Sequence, residues 1–453
     1  MTRSLPSFLA GCCGLAAGLL CSARAQANTP LSLPPPAPAA VAPGSPTPPP
    51  LGLADLEQMA LHGNPTLAQA AAQVEASRGK ALQAGLCPNP TVGYTSEQIG
   101  AEGRAGELQG AFVQQTIVTA GKLRLSRAKY NQEAYEAELM VLVQQYRVLN
   151  GVRTRYYEVL ALQRMIELHR EILANAEESL KTQKEMFNTG LANRAEVLLA
   201  EVAVNDARIE LLTLENRYLA NWKHLASLVG SPELPPGPLK GQLEPDGPAL
   251  DWESSLGRLL QESPELQAAQ AHVTHDQITV QRERAEPIPN IQLQGVTGYN
   301  FETRNTTAGV QVGFKIPVWD KNQGTIQQAK ADLARSIAEV ARVELHLRQR
   351  LAAAFERYNT ARRSAELYRD VSVPKATEAY EAQLDMYKKR RIAWPQVVAL
   401  QRNVLEVKGK YTRSLLDLRE AEVAITGLLL VDGLTVPPRP MPGGHIDATP
   451  RPR

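Results

Sequence analysis

The sequence is poor in aromatic residues and long apolar runs, and it carries almost no net charge. Aromatic residues make up 5% of the 453 residues, which fits long helical seams better than a compact core. Beyond the first 27 residues, no apolar run approaches the roughly 18 residues that a membrane-spanning helix needs. The net charge of +2 gives no reason to expect nucleic acid as a partner. These deficits argue against a bundle of transmembrane helices and against a nucleic-acid-binding protein.

Cysteine is also scarce, and three of the four cysteines lie near the N-terminus. Arg3 precedes an apolar segment and a run of small residues, which predicts a secretory signal peptide over residues 1–27. The segment ending at Cys12 also has the form of a lipobox, so lipidation at Cys12 is the alternative to ordinary cleavage. Ordinary cleavage would leave Cys87 alone and exclude an intramolecular disulfide. We interpret Cys87 as a small apolar filler.

Apolar residues recur every seven positions in two long adjacent segments. The recurring residues are Val152, Val159, Ile166, Leu173, Leu180 and Phe187, and then Val197, Val204, Leu211, Tyr218 and Leu225. A heptad pattern of this length predicts a coiled-coil seam. A Gly- and Asn-containing turn at 188–193 separates the segments, so we expect an antiparallel pair of long helices over 122–230.

The same unit occurs a second time. Matching heptad positions are Ile326, Leu333, Val340, Leu347, Ala354, Ala361 and Tyr368, followed by Val397, Val404, Tyr411, Leu418 and Ile425. Asn64-Pro65 corresponds to Ser263-Pro264, and Pro88-Asn89-Pro90 corresponds to Pro287-Ile288-Pro289. We therefore predict two structural repeats, 51–230 and 250–431, with the second coiled coil at 325–430 and a Pro-rich linker at 231–249. Pro374 should kink or break the second long helix.

Each repeat also contains a segment without helical periodicity, predicted as a β-hairpin at 91–118 and at 290–317. In the second hairpin, Ile291, Leu293 and Tyr299 alternate with polar residues, and a polar turn is expected at 303–306. Each strand has the length of a tilted strand crossing a bilayer. Four strands cannot close a barrel, so membrane strands would require several chains to share one. Two ordinary hairpins on a soluble protein are the alternative.

The two ends of the mature chain are rich in proline. Residues 28–50 carry runs such as Pro34-Pro35-Pro36 and predict an extended polyproline-like arm. The Pro- and Arg-rich residues 432–453 predict a disordered tail.

Together these features resemble the TolC-type outer-membrane factor family of trimeric export ducts. The most specific segment is Phe187-Asn188-Thr189-Gly190-Leu191 followed by Glu196-Val197, and the duplicated order of elements supports it. The resemblance implies a mainly α fold with a small β part: a long antiparallel coiled-coil helical barrel in the periplasm and four strands per chain of a twelve-stranded outer-membrane barrel. It implies a homotrimer in outer-membrane lipid that works with a periplasmic membrane-fusion adaptor and an inner-membrane pump.

The resemblance also assigns roles to the helix tips. It places adaptor docking at Asn188, Thr189, Gly190 and Leu191, whereas the second tip departs from the family with Lys388, Lys389, Arg390 and Arg391. It places a carboxylate pore constriction at Glu196, but the second repeat has Gln396 at the corresponding position. The alternative interpretations are a helix-capping role for Glu196 and a solvated surface for the basic tip.

The sequence contains no phosphate loop, nucleophile elbow or paired-cysteine metal site. His272, His275 and Asp276 have a spacing that a metal could use, but we interpret them as a solvated helical face. We therefore predict no enzyme activity, no cofactor and no metal. The remaining alternatives are a periplasmic coiled-coil tether, a duct for type I protein secretion, and a metal enzyme using those three residues.

Overall fold

The computed structural model describes residues 50–97, 107–190, 192–245, 247–389, 391–392 and 394–440. The predicted signal peptide with Cys12, nearly all of the predicted proline-rich arm, and the tail from residue 441 onward lie outside these residues.

The two predicted repeats are present, and each is built from two short helices, a β-hairpin, a long helix and a returning helix. The first repeat contains α1 (Leu53–Gly63), α2 (Pro65–Ala84), β1 (Thr91–Glu97), β2 (Leu108–Ile117), α3 (Lys122–Asn188) and α4 (Arg194–Leu228). The second contains α5 (Trp252–Glu262), α6 (Pro264–Ala285), β3 (Ile291–Asn300), β4 (Asn305–Phe314), α7 (Gln323–Leu367), α8 (Val373–Lys388) and α9 (Trp394–Thr426). Among the described residues, no helix is both long and apolar enough to cross a membrane.

The two long helices differ in continuity. Helix α3 runs unbroken for 67 residues, which at 1.5 Å per residue is about 100 Å. Its counterpart passes from α7 through a five-residue π-helical turn, Tyr368–Ser372, into α8. Pro374 lies in the first turn of α8, where its missing N–H and its ring are tolerated. The predicted interruption at Pro374 is therefore confirmed, and it takes the form of a π-bulge.

The four strands form one antiparallel sheet in the order β1-β2-β3-β4, so the two hairpins join through β2 and β3. The register places Val113 opposite Val92 and Gly295, and Leu293 opposite Val312. Opposite residues share a face, so Val310, Val312 and Phe314 of β4 lie on the same side of the sheet as Val92, Val113 and Leu293. The other side carries mostly polar residues and glycine, with Phe112 and Val296 among them. Strand β3 ends at Asn300 and β4 begins at Asn305, so the turn lies at 301–304, two residues earlier than the predicted 303–306.

The helices bury two large hydrophobic cores, one centred on each repeat. In the first, Leu56, Val152, Val159, Trp222 and Leu225 are almost fully buried. The second lies between α7 and α9 and contains Leu347, Leu351, Tyr358, Leu415 and Leu418. Along the first seam, Val152, Val159 and Ile166 are thus buried, whereas Phe187 at its far end is 46% exposed.

The linker between the repeats packs closely against the helices. Leu239 and Leu243 are buried, and Leu51 pairs with Leu239 in a short parallel bridge. The Gly237 carbonyl accepts hydrogen bonds from Gln163 Nε2 and Tyr218 Oη, both at 3.0 Å. The linker therefore acts as a strap across the helices of the first repeat.

The tail predicted to be disordered from residue 432 begins as an ordered segment. The Gly433 carbonyl accepts hydrogen bonds from Gln144 Nε2 at 3.1 Å and from Thr66 Oγ1 at 3.3 Å. Asn150, fully buried on α3, donates to the carbonyls of Gly427 and Leu430. The prediction is wrong for these first residues because buried side chains of the first repeat bind the backbone that follows α9.

Candidate functional site

The first helix tip joins α3 to α4 through a compact turn. Gly190 has a φ of +75°, a left-handed conformation that glycine adopts without strain. The Thr189 hydroxyl donates to the carbonyls of Glu185 and Met186 at 3.2 and 3.0 Å. The structure therefore places Asn188, Thr189 and Gly190 at the end of the hairpin, while Leu191 lies outside the described residues.

The second tip joins α8 to α9 and carries positive charge. Lys388, Lys389 and Arg391 are exposed, and Lys389 Nζ lies 2.6 Å from Asp385 Oδ2. The Arg391 amide donates to the Met386 carbonyl at 3.0 Å, which closes the turn. Arg390 lies outside the described residues. The two tips have corresponding positions in the fold but different charge.

Glu196 is part of a capping box at the start of α4. The Asn193 side chain accepts from the Glu196 amide at 3.0 Å, and the Glu196 carboxylate accepts from the Asn193 amide at 3.2 Å. The carboxylate is exposed, so it can cap its helix and still present negative charge. Gln396 is also exposed, and its side-chain oxygen accepts from Gln383 Nε2 at 3.4 Å.

One face of the sheet is apolar and exposed. On β4, Val310, Val312 and Phe314 are 79%, 61% and 61% exposed, and Val92 on β1 is 70% exposed. On β4, the opposite face carries asparagine, threonine, glycine and glutamine. Both outer strands, β1 and β4, have only one neighbouring strand in the described chain. An exposed apolar face with two open edges requires further contacts to be stable in either water or lipid.

A second exposed apolar surface follows α4. We call it the α4 stripe; its members are Leu198, Leu199, Val202, Ile209, Leu212 and Leu219. Their spacing is helical, and the stripe lies apart from the buried seam of Val204, Leu214 and Trp222. Helix α4 therefore has one apolar side against its own chain and another that is exposed.

A buried polar contact fixes the helices to the sheet, and sequence analysis did not identify it. Lys122, only 2% exposed at the start of α3, donates from Nζ to Asn290 Oδ1 at 3.0 Å. Its Nζ also lies 3.9 Å from Glu286 Oε2. Burial lowers the pKa of Lys122, partly offset by the charge of Glu286. Because these residues are 168 positions apart, no local pattern could have indicated the pair.

His272, His275 and Asp276 are buried, so their interpretation as a solvated helical face is wrong. Their exposed fractions are 3%, 4% and 4%, because this side of α6 packs between α3 and α7. Glu136 of α3, 1% exposed, completes the group: His272 Nδ1 lies 3.1 Å from Glu136 Oε2. His275 Nδ1 lies 3.0 Å from Asp276 Oδ1. We call these four residues the buried cluster.

The electrostatics of the buried cluster favour charged groups. Burial by itself would lower the pKa of His272, but the hydrogen bond and charge of Glu136, with the charge of Asp276, raise it. Burial would raise the pKa of Asp276, but the hydrogen bond from His275 and the charges of both histidines lower it. Of the residue groups that the structure describes, His272, His275 and Asp276 have ligand atoms close enough to hold a metal ion, all within 4.8 Å of one another.

Cys87 is exposed in the segment that leads from α2 to β1. The interpretation of Cys87 as an apolar filler is therefore wrong. Cys87 lies three residues after the end of α2, where the chain turns toward the sheet.

Comparison with known proteins identifies the same two repeats that the structure shows. The family model described as outer membrane efflux protein matches residues 56–231 and 256–429, which covers both repeats. The match includes both helix tips, both hairpins and the buried cluster. It leaves out the proline-rich arm and the tail.

Individual relatives are distant in sequence but similar over most of their length. The cobalt-zinc-cadmium resistance protein CzcC of Cupriavidus metallidurans is 23% identical over 84% of this chain and 90% of its own. The alkaline protease secretion protein AprF of Pseudomonas aeruginosa is 23% identical over 63% of this chain and 65% of its own. The solved outer membrane protein VceC of Vibrio cholerae has a TM-score of 0.68 at 17% identity, over 84% of this chain and 96% of that structure.

Proposed function

Because this chain belongs to the outer membrane efflux protein family, we propose that it is the passive outer-membrane duct of a tripartite export system. Three copies share a twelve-stranded barrel, and their helical hairpins continue it as a tunnel through the periplasm. An inner-membrane pump supplies energy and substrate, and a periplasmic membrane-fusion adaptor connects the pump to the tips. The family assignment agrees with the prediction that the chain is not an enzyme.

The apolar face of the four-stranded sheet is the observation that carries this proposal. Strands of about ten residues with one mainly apolar and one mainly polar face have the composition of barrel strands between lipid and an aqueous lumen. Pairing of the β4 edge of one chain with the β1 edge of the next would leave no backbone edge in lipid. Eight strands would fill their interior with side chains, whereas twelve leave room for a lumen.

The α4 stripe supports association along the helical part as well. Apolar residues such as Leu199 and Ile209, 69% and 62% exposed, would be covered by the helices of a neighbouring chain. Burying one such side chain contributes about 1.5–3 kcal/mol. A stripe of six such residues would therefore contribute to holding the three chains together, against the cost of associating them.

Efflux of small solutes is favoured over protein secretion as the transported class. The relative named for cobalt, zinc and cadmium resistance covers 84% of this chain, whereas the relative named for protease secretion covers 63%. Type I protein secretion is the second candidate on the strength of that latter similarity. Measuring survival in drugs and metal salts alongside secreted protein levels in a deletion strain separates the two.

At the tips, we propose that the adaptor contacts Asn188–Leu191 of one hairpin and Lys388–Arg391 of the other. The exposed lysines and arginine of the second tip fit an acidic surface on the adaptor. Three copies of Glu196 around the axis would form the constriction, with Gln396 leaving the second position uncharged.

The first experiment is the native mass of protein solubilised in detergent from purified outer membranes. The proposal expects a stable particle of three chains that resists extraction by salt or carbonate. Cross-linking of a cysteine pair placed on β1 and β4 should occur between chains rather than within one. A monomer released by salt or carbonate alone would contradict the proposal and leave the periplasmic tether as the account.

A further inference from the structure

We propose that the buried cluster binds one divalent transition-metal ion of the Zn²⁺ class per chain, as a resident site at the crossing of α3, α6 and α7. His272, His275 and Asp276 would supply the ligands, and Glu136 would orient His272. This inference goes beyond the proposed export function and does not depend on it.

The donor atoms are close enough to converge on one ion. His272 Nε2 lies 3.8 Å from Asp276 Oδ2, and a tetrahedral ion with bonds of about 2.0–2.2 Å separates its ligands by about 3.4 Å. The two imidazole rings are nearly parallel, with their centroids 5.3 Å apart and their planes at 17° to each other. Small side-chain rotations would bring one nitrogen of each ring and Asp276 Oδ2 around a common centre.

Glu136 provides the outer contact that a metal-bound histidine usually has. Its Oε2 lies 3.1 Å from His272 Nδ1, which leaves Nε2 directed to the ligand side. Carboxylate–histidine–metal arrangements of this kind fix the tautomer and orientation of the ring. Glu136 comes from a different repeat than the two histidines, so a bound ion would connect α3 to α6.

An unsatisfied atom points to a missing ligand. Asp276 Oδ2 is buried and has no close hydrogen-bond partner among the described residues; His272 Nε2 lies 3.8 Å away, and the Ser336 hydroxyl lies near the carboxylate. A buried carboxylate oxygen without a partner is costly. The buried cluster also contains two carboxylates, Glu136 and Asp276. A divalent cation would balance their two negative charges while both imidazoles stay neutral. Two imidazole donors favour zinc and its first-row neighbours over Mg²⁺ or Ca²⁺.

The first repeat provides an internal control. Counting from Pro65 and Pro264, the positions that correspond to His272, His275 and Asp276 are Gln73, Ala76 and Ser77. None of these three side chains is a good ligand for zinc. Helix α2 of the first repeat therefore packs against α3 without residues that could bind zinc at these three positions, whereas α6 of the second repeat has them.

The test is Zn²⁺ binding to the full-length protein, purified in detergent and stripped of metal. We expect one Zn²⁺ per chain by calorimetry and elemental analysis, with no competition from excess Mg²⁺. His272→Gln and His275→Ala, which adopt the residues of the first repeat, should each remove stoichiometric binding. Glu136→Gln should weaken it by about 10- to 100-fold, as loss of an orienting carboxylate does. His169→Gln, at a histidine 3.5 Å from Glu210 elsewhere on α3, is the matched control and should bind like the wild type.

A measurement on the unaltered protein removes any dependence on how the variants fold. X-ray absorption of the bound zinc should show two imidazole nitrogens together with oxygen ligands. The inference is overturned if the wild type binds no stoichiometric Zn²⁺, if binding survives in the His272→Gln/His275→Ala double variant, or if the spectrum shows oxygen ligands alone.

Discussion

The two repeats have the same order of elements, yet their side chains differ at several corresponding positions. Residues two hundred apart correspond along the returning helices, as Val197 and Val397 or Val204 and Val404 show. At the tips, however, neutral Asn188 corresponds to Lys388, and Glu196 corresponds to Gln396. The apolar positions that pack the returning helices are therefore retained in both repeats. Polar residues at several corresponding positions, whether exposed or buried, differ.

The contrast extends into the cores. Trp222 is 1% exposed and donates from Nε1 to the Leu234 carbonyl of the linker at 2.9 Å. The corresponding residue of the second repeat is Glu422, which pairs with Arg419 at 3.1 Å. Burial raises the pKa of Glu422, opposed by Arg419. Arg419 also donates to the linker carbonyls of Leu243 and Glu244. One repeat holds the linker with an aromatic side chain and the other with an ion pair.

The largest expected effect tests the difference between the two faces of the sheet. Val312→Arg places a charge on the apolar face of β4 and should cost about 2–4 kcal/mol if that face lies in lipid. Gln311→Arg, one residue away on the polar face, should be tolerated. The measurement is the amount of trimer in isolated outer membranes. Equal amounts for both variants would mean that the apolar face is not in lipid.

A proline exchanged between the repeats tests why one long helix is continuous and the other is not. Ala174 of α3 corresponds to Pro374, and Ala174→Pro should destabilise the protein by about 3 kcal/mol because α3 has no π-turn to accommodate the ring. Pro374→Ala should leave stability unchanged or raise it by less than about 1 kcal/mol. Denaturant unfolding of the solubilised protein measures both. A neutral Ala174→Pro would show that α3 is already interrupted in solution.

Exchanging the second tip for the first tests the proposed basic docking surface. The combined change Lys388→Asn, Lys389→Thr, Arg390→Gly and Arg391→Leu should weaken adaptor binding by roughly tenfold, since each exposed ion pair contributes up to about 1 kcal/mol. The trimer should remain intact. Arg357→Gln with Arg363→Gln, which removes exposed charge from α7, is the control. Unchanged adaptor binding and export after the tip exchange would leave the basic tip as a solvated surface.

The smallest effect concerns the proposed constriction. Glu196→Gln keeps a side chain able to complete the capping box, so the fold should persist while the charge is lost. Cation selectivity in planar bilayers should fall by about two- to threefold, because charges facing water are screened within about 8 Å at physiological salt. Gln396→Glu should raise it, and Glu210→Gln, away from the tip, should not change it. A constriction elsewhere would be indicated if neither tip variant altered selectivity.

Much of the fold could be predicted because its signals are local. Heptad spacing located α3 and α4, and alternation located β3 and β4 to within a few residues. Pro374 located the interruption between α7 and α8. The candidate site was predicted less completely: the resemblance to a known family, and not any spacing, suggested the roles proposed for the tips and Glu196. The burial of His272 went against expectation, because a helix of mixed composition does not reveal which side is covered. The exposure of Cys87 also differed from expectation, because nothing local in the connecting segment shows whether another element covers it.

By itself, the sequence determined the helices, the strands and the duplication, since periodicity and turn residues act within a few positions of one another. Only the tertiary structure decided which distant side chains meet. Glu136 reaches His272 across 136 residues, and Lys122 reaches Asn290 across 168. Such contacts depend on how the helices cross and on the pairing of β2 with β3 that joins the two repeats. Crossing geometry follows from packing over the whole surface of each helix, and no single stretch of the chain records it.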